Sequence, residues 1–144
     1  MGRRQYNVNE VDATDFSHNV SIAGNDNDDD TLIGGAGSNS LWGGSGGNDV
    51  LIGGSGHNIF FFGAYDGNDT IKCAGDGDIV ELMGISLNDI DIEGTTNSAR
   101  GMSISVQLKN GNSVIVNGSN INQVGFKVEG ETWSLNSNKT WTKR

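Results

Sequence analysis

Between residues 24 and 80, large apolar residues recur every nine to eleven positions within a polar, glycine-rich background. The template Gly-Gly-x-Gly-x-Asp-x-U-x, with U a large apolar residue, describes three consecutive copies that begin at Gly34, Gly43 and Gly53. The middle copy carries one extra residue, and partial copies occupy residues 28–33, 67–72 and 76–80. Self-similarity at such a short, fixed period is typical of a coiled repeat architecture.

Each copy predicts a tight turn followed by a short strand. Glycine tolerates the positive φ of a tight turn, and the x-U-x triplet is a minimal strand whose central side chain points inward. Two copies make one coil with a sheet on each side. The inward column forms a thin core and comprises Leu32, Leu41, Leu51, Phe60 and Ile71. We therefore predict an all-β fold, a parallel β-roll over residues 24–80.

The sixth position of each copy carries the candidate chemistry. Alternate turns of a coil stack on one edge, about 4.8 Å apart. One edge then receives Asp30, Asp49 and Asp69, and the other receives Asn39, Asn58 and Asp78. Stacked carboxylates repel unless a cation lies between them, and the glycine-rich turns direct backbone carbonyls at the same gap. A donor set of oxygens alone fits Ca²⁺ better than Zn²⁺ or Mg²⁺.

The distribution of charge along the chain also supports cation binding at the turns. The 144-residue chain has 23 Gly, no Pro and a net charge of −9. Residues 24–80 contain nine Asp and one Lys, a net charge of −8, whereas acids and bases balance in residues 81–144. Such an acidic cluster opposes compaction unless it is neutralised. It also argues against nucleic-acid binding, which requires a basic surface.

These copies resemble the RTX (repeats-in-toxin, haemolysin-type calcium-binding) family. The resemblance implies a two-sheet right-handed β-helix in which the sixth-position Asp and the turn carbonyls hold several Ca²⁺ ions between stacked turns. The ligands that it implies are Asp30, Asp49, Asp69 and Asp78, Asn39 and Asn58 as neutral and weaker replacements, Asp28, and the turn glycines Gly35, Gly37, Gly44, Gly46, Gly54 and Gly56.

The acidic turn at residues 26–30 is also similar to the start of an EF-hand loop. Thr31 and Gly37 stand where that loop has Gly and Glu, which argues against an EF-hand. The turn belongs either to the ligand set of the roll or to a solvated acidic surface.

The remainder of the chain predicts a cap. Residues 103–108 alternate as a strand does, Asn110-Gly111 predicts a hairpin turn, and Glu129-Gly130 predicts a second one. A stack of short strands needs its open edge closed. We predict an N-terminal entry or cover segment over residues 1–23, the roll over 24–80, and a β-hairpin-rich C-terminal cap over 81–144.

A second apolar column alternates with the inward one and should face outward: Ile33, Trp42, Ile52 and Phe61, with Phe62 beside it. It is either packed across strands beneath the cap or the N-terminal segment, or it is a partner-binding or self-association face centred on Trp42 and Phe61.

We expect no enzyme in this chain, because no nucleophile, base and orienting group occur in a recognisable arrangement. No apolar run is long enough to span a membrane. The RTX resemblance implies a secreted, extracellular bacterial location, free or associated with the cell surface, and export by the type I secretion machinery. We expect a calcium-binding module that folds outside the cell and assists secretion of a larger parent protein. The alternative is a calcium-dependent adhesin or a module that binds glycans or a cell surface.

Overall fold

A computed structural model describes residues 9–75, 77–98, 102–118 and 121–144. Within these residues the chain forms fourteen strands, with 3-10 helices at Leu87–Asp89 and Ile121–Gln123. The strands, in chain order, are β1 (Glu10–Asp12), β2 (Ser21–Ala23), β3 (Thr31–Ile33), β4 (Ser40–Trp42), β5 (Val50–Ile52), β6 (Ile59–Gly63), β7 (Asn68–Ala74), β8 (Ile79–Met83), β9 (Thr96–Asn97), β10 (Ser103–Gln107), β11 (Ser113–Gly118), β12 (Gly125–Val128), β13 (Glu131–Leu135) and β14 (Trp141–Lys143).

The strands form two sheets of seven. The first sheet has the order β1-β3-β5-β7-β11-β10-β9, and the second has the order β14-β13-β12-β8-β6-β4-β2. Successive strands alternate between the sheets from β1 to β8, and neighbours within each sheet pair in parallel over this range. This is the arrangement of a stacked coil, and the predicted all-β parallel β-roll is confirmed.

The register gives the length of each coil. Thr31 pairs with Val50 and Ser40 with Ile59, a separation of 19 residues in both sheets. Val50 pairs with Thr70, a separation of 20. The paired positions 31, 40, 50, 59 and 70 are therefore spaced by nine, ten, nine and eleven residues. The ten-residue unit contains the extra residue of the middle copy, and the eleven-residue unit contains one more.

The core is a double column of inward side chains between the sheets. The first sheet contributes Leu32, Leu51 and Ile71 in register, and the second contributes Leu41, Phe60 and Val80. Each is at most 1% exposed. Full burial of one such side chain contributes about 1.5–3 kcal/mol, so the inward columns are a main source of stability. The predicted inward column is confirmed.

The C-terminal part contains both predicted hairpins. Strands β10 and β11 pair antiparallel, and so do β12 and β13. The Glu129-Gly130 turn has positive φ at both residues, 50° and 81°, which explains why glycine occupies its second position.

These hairpins join the roll by extending its sheets. Strand β11 pairs in parallel with β7, and β12 pairs in parallel with β8. Val116 lies opposite Ile71, and Phe126 lies opposite Val80, so each inward column gains one more member. Trp141 packs edge-on against Phe126, with ring centroids 5.4 Å apart. Strand β8 continues through the predicted boundary at residue 80, and the three-part division of the chain stays a prediction.

The outward column differs from expectation at Phe62. Trp42 and Phe61 are half-buried on the outer face of the second sheet, but Phe62 is 1% exposed and belongs to the core. The prediction that Phe62 faces outward is wrong, because β6 continues as an extended strand to Gly63 and its alternation returns Phe62 to the inner face. No helix in the described part of the chain is long and apolar enough to cross a membrane.

Candidate metal sites at the two edges of the roll

Three carboxylates, Asp30, Asp49 and Asp69, stack along one edge of the roll, and we call them the Asp column. The backbone N–H of Asp30 donates to Asp49 Oδ1 at 2.9 Å, and the N–H of Asp49 donates to Asp69 Oδ1 at 3.0 Å. Each donated bond joins one coil to the next and orients a carboxylate. All three side chains are buried, at 1–2% exposure. Their predicted stacking on one edge is confirmed.

One oxygen of each carboxylate in the Asp column lacks a hydrogen bond. These oxygens are Asp30 Oδ1, Asp49 Oδ2 and Asp69 Oδ2, and all are buried. The other oxygen of Asp30 accepts from the N–H of Asn25 at 2.6 Å. Buried, unpaired carboxylate oxygens are costly unless a cation or proton satisfies them. The Asp column therefore fits a hard, oxygen-binding cation such as Ca²⁺.

Burial without enough hydrogen-bond donors also raises the pKa values of Asp49 and Asp69. Burial, together with the charges of Asp49 and Asp66, raises the pKa of Asp69 to about 8 against the hydrogen bond from the Asp49 N–H. Burial, together with the charge of Asp30, raises the pKa of Asp49 to about 6 against the hydrogen bond from the Asp30 N–H. Without a cation, Asp69 holds a proton near neutral pH.

We expect the metal-free roll to lose stability as the pH rises from about 4 to about 8. The folded state holds protons on Asp49 and Asp69 at pH values where the unfolded chain, with carboxyl pKa values near 4, has released them. The stability that these protons supply is fully present below the unfolded pKa and is lost as the pH passes through about 6 and about 8. Thermal melts in EDTA across this range measure the effect.

The control for this titration is Asp69→Asn, which should flatten the upper part of the profile because an amide does not ionise. A wild-type profile that is flat, or that rises with pH, would contradict the prediction.

The opposite edge carries Asn39 and Asn58 and ends at Asp78, and we call these residues the Asn column. The N–H of Asn39 donates to Asn58 Oδ1 at 3.0 Å, and the N–H of Asn58 donates to Asp78 Oδ1 at 2.7 Å. The second oxygen of Asp78 accepts from the N–H of Gly75 at 2.9 Å. Burial raises the pKa of Asp78, against hydrogen bonds that lower it. Both oxygens of Asp78 thus have partners, unlike those of the Asp column.

The side-chain amides of the Asn column bond the carbonyls of the glycine-rich turns. Asn39 Nδ2 donates to the carbonyls of Gly35 at 3.1 Å and Gly37 at 3.0 Å. Asn58 Nδ2 lies 2.9 Å from the carbonyl of Gly56 and 3.5 Å from that of Gly54. These carbonyls belong to glycines that the RTX resemblance implies as metal ligands.

The turn glycines of the Asp edge, Gly44 and Gly46, have positive φ of 98° and 71°. A Cβ on Gly44 would lie 2.9 Å from the carbonyl oxygen of Asn25 in the neighbouring turn. Only glycine combines this conformation with so close an approach. Asp28 lies in that neighbouring turn and is half-buried.

A further column of hydrogen bonds lies outside the Asp column. Asp29 Oδ1 accepts from the N–H of Asn48 at 2.7 Å, and Asn48 Oδ1 accepts from the N–H of Asn68 at 3.1 Å. Asp26 Oδ1 likewise accepts from the N–H of Ser45 at 3.0 Å. These residues join consecutive coils. The sequence signal for them is an Asp or Asn directly before each Asp of the column, and the template does not include it.

Among the described residues, no three His, Cys, Asp or Glu side chains converge on one point as metal ligands. A cation at the Asp edge would therefore depend on backbone carbonyls as well as carboxylates, the mixed oxygen set that Ca²⁺ accepts. The arrangement does not offer a tetrahedral site of thiolates and imidazoles.

The outer face of the second sheet carries a shallow apolar groove of about 280 Å³. It is lined by Ser21, Ile22, Ala23, Ser40, Trp42, Phe61 and Met83. Trp42 Nε1 donates to Asp66 Oδ2 at 2.8 Å, and the same oxygen accepts from the N–H of Gly63 at 2.6 Å. Asp66 is buried and fixes the Trp42 ring from the Asp-edge turn. Sequence reasoning did not identify this role of Asp66.

Comparison with known proteins identifies the repeats. A family model for the RTX calcium-binding nonapeptide repeat matches four copies, over residues 24–60 and 44–71. No curated protein matches the chain. The matched residues coincide with the coils β3 to β7 and with the stacked turns described above. The chain therefore carries RTX calcium-binding nonapeptide repeats, folded as a β-roll.

Proposed function

We propose that this protein is a calcium-dependent folding module, in which ions at the Asp edge stabilise the roll. The observation that carries the proposal is the set of buried, unpaired carboxylate oxygens on Asp30, Asp49 and Asp69. The local charge of −8 over residues 24–80 opposes folding until cations neutralise it. Ca²⁺ supplies that neutralisation when it is bound.

Two pairs of carboxylates would hold the ions. Asp30 and Asp49 are adjacent in the stack, and so are Asp49 and Asp69. The acidic turn with Asp28 and the turn with Gly44 and Gly46 face each other across the first of these gaps. We assign ions to both gaps, with the middle carboxylate, Asp49, shared between them.

The RTX repeats support a proposal for the cellular setting. RTX repeats are typical of exported bacterial proteins, and the β-roll is a structural module, not a catalytic one. We propose that the chain stays unfolded where calcium is scarce, folds outside the cell where calcium is plentiful, and in this way assists type I secretion of a parent protein. Any catalytic activity would belong to another part of that parent.

Calcium is expected to fold the chain, or to raise its melting temperature strongly. Extracellular calcium modules have Kd values on the order of 10⁻⁴–10⁻³ M. At a free calcium concentration about 100 times Kd, one site contributes about 2.7 kcal/mol. Circular dichroism during a calcium titration measures the transition, and isothermal titration calorimetry counts the ions. Magnesium at equal concentration is the control, because it loses its water shell reluctantly and should have a smaller effect. The proposal fails if EDTA leaves the spectrum and melting temperature unchanged.

A second candidate function is calcium-dependent adhesion to a glycan or cell surface. The groove beside Trp42 and Phe61 favours it, because fixed aromatic side chains suit sugar and protein partners alike. Self-association through the same face is the other use that the outward column suggests. Glycan-binding and cell-binding measurements in calcium and in EDTA distinguish this candidate from a purely structural module.

A further inference from the structure

The two edges of the roll are built from turns of different length. On the Asn edge, six residues separate consecutive strands, at positions 34–39 and 53–58. On the Asp edge, seven residues do so, at positions 24–30 and 43–49. Gly47 lies in one of the longer turns with φ of 79°, and a Cβ there would lie 2.0 Å from the carbonyl oxygen of Asp28. The two edges therefore differ in the length of their turns as well as in their sixth-position residues.

In both kinds of turn, nevertheless, the first glycine lies beside an atom of the sixth-position side chain and a carbonyl oxygen of the next coil. A Cβ on Gly34 would lie 2.7 Å from Asn39 Nδ2 and 2.6 Å from the carbonyl oxygen of Gly53. A Cβ on Gly24 would lie 2.5 Å from Asp30 Oδ2 and 2.5 Å from the carbonyl oxygen of Gly43. On the Asn edge this pair of atoms is a hydrogen bond of 2.9 Å. On the Asp edge it consists of two acceptor oxygens, which attract each other only through a cation or a proton.

Asn39 Nδ2 lies among four oxygens. These are the carbonyl oxygens of Gly35, Gly37 and Gly53, and Asn58 Oδ1, at 2.9–3.1 Å. The orientation of the amide is fixed, because its Oδ1 accepts from the N–H of Val20 at 3.1 Å and only an oxygen can do so. Asn58 repeats the arrangement one coil later, with its Oδ1 accepting from the N–H of Asn39. The two hydrogens of an uncharged NH₂ group are thus shared among oxygens that would otherwise face one another.

We propose that the Asn39 and Asn58 amides take the place of calcium, so that the Asn edge closes without metal and calcium binds only at the Asp edge. This inference rests on the proposed function, and it replaces the expectation that Asn39 and Asn58 are weak calcium ligands. The residue at the sixth position then determines whether a turn needs calcium. An Asp requires a cation between coils, whereas an Asn supplies its own donor.

The gain-of-site variant is Asn39→Asp combined with Asn58→Asp. It places three stacked carboxylates on the Asn edge, the last being the native Asp78, and removes the donors that now satisfy the carbonyls of Gly35, Gly37 and Gly53. We expect at least one additional calcium ion per chain by calorimetry or equilibrium dialysis. We also expect a lower melting temperature in EDTA and a larger shift on adding calcium. Ser137→Asp combined with Asn138→Asp is the matched control, because it adds the same two negative charges at exposed positions outside the roll.

Loss-of-donor variants test the inference independently of that gain. Asn39→Ala and Asn58→Ala should leave the number of bound calcium ions unchanged and lower the melting temperature by similar amounts in calcium and in EDTA. Fewer bound ions in these variants would show that the amides are ligands and would overturn the inference. The inference would also be overturned if the folded variant with Asn39→Asp and Asn58→Asp bound as many calcium ions as the wild type and melted at the same temperature in EDTA. Failure of the proposed function is a different outcome, in which the wild-type chain binds no calcium.

Discussion

Asp49→Ala is expected to remove most of the calcium-induced stabilisation of this protein. Asp49 lies between Asp30 and Asp69, so it faces a carboxylate in the coil on either side. Its Oδ2 is buried without a hydrogen bond, and its Oδ1 accepts the N–H of Asp30. Truncation to Ala would therefore affect both proposed ion gaps and leave a buried N–H without its acceptor.

The expected magnitude is large. Two sites that each contribute about 2.7 kcal/mol at about 100 times Kd amount to about 5 kcal/mol, comparable with the whole stability of many small domains. For a chain of this size that corresponds to a fall of roughly 15–20 °C in melting temperature at saturating calcium. Thermal melts in calcium and in EDTA measure the difference, and a calcium titration gives the shifted midpoint.

Asn39→Ala is the matched comparison, since it truncates the equivalent position on the opposite edge. It should lower stability in both conditions and leave the calcium-induced increment nearly intact. Equal losses of that increment in the two variants would show that the edges do not differ in their need for calcium.

Truncation after Met83 is expected to convert the folded protein into an aggregating one. It removes β11 and β12, which pair with β7 and β8, and so leaves two strand edges with unpaired N–H and C=O groups. It also uncovers Ile71 and Val80, which lie opposite Val116 and Phe126 in the intact chain. Open apolar strand edges recruit other chains.

Calcium should promote this aggregation, because only the folded roll presents the edges. Size-exclusion chromatography of residues 1–83 should show large species in calcium and an expanded monomer in EDTA, with the full chain as control. If the truncated roll is folded and monomeric in calcium, closure of the stack is not what the C-terminal strands provide.

Much of the roll could be predicted because its local rules repeat. The spacing of Leu32, Leu51 and Ile71 specifies the inward column, and the sixth-position residues specify two edges. The final position of Phe62 could not be read from the repeat, because it depends on how far β6 extends beyond the template. Nor did the template indicate that Asp66 would hold the Trp42 ring, since that contact joins residues 24 positions apart.

The sequence pattern also did not predict how the C-terminal hairpins attach to the roll. Their alternation and turns predict antiparallel pairs, which form. Their parallel pairing with β7 and β8 joins residues about 45 positions apart and has no local signature. The donor role of Asn39 was similarly hidden, because spacing gives the position of an amide but not which of its two atoms faces the turn carbonyls.

The attachment of β11 and β12 imposes an order of events on folding. From β1 to β8, each strand pairs with a strand 19 to 21 residues away, so a coil can add as soon as that length of chain is free. The last coil must instead wait for partners that lie 45 and 46 residues further along, Ser113 for Asn68 and Gly125 for Ile79. Closing such loops is entropically slower. The N-terminal coils can therefore form first, and the roll remains open at one end until β11 and β12 have paired with β7 and β8.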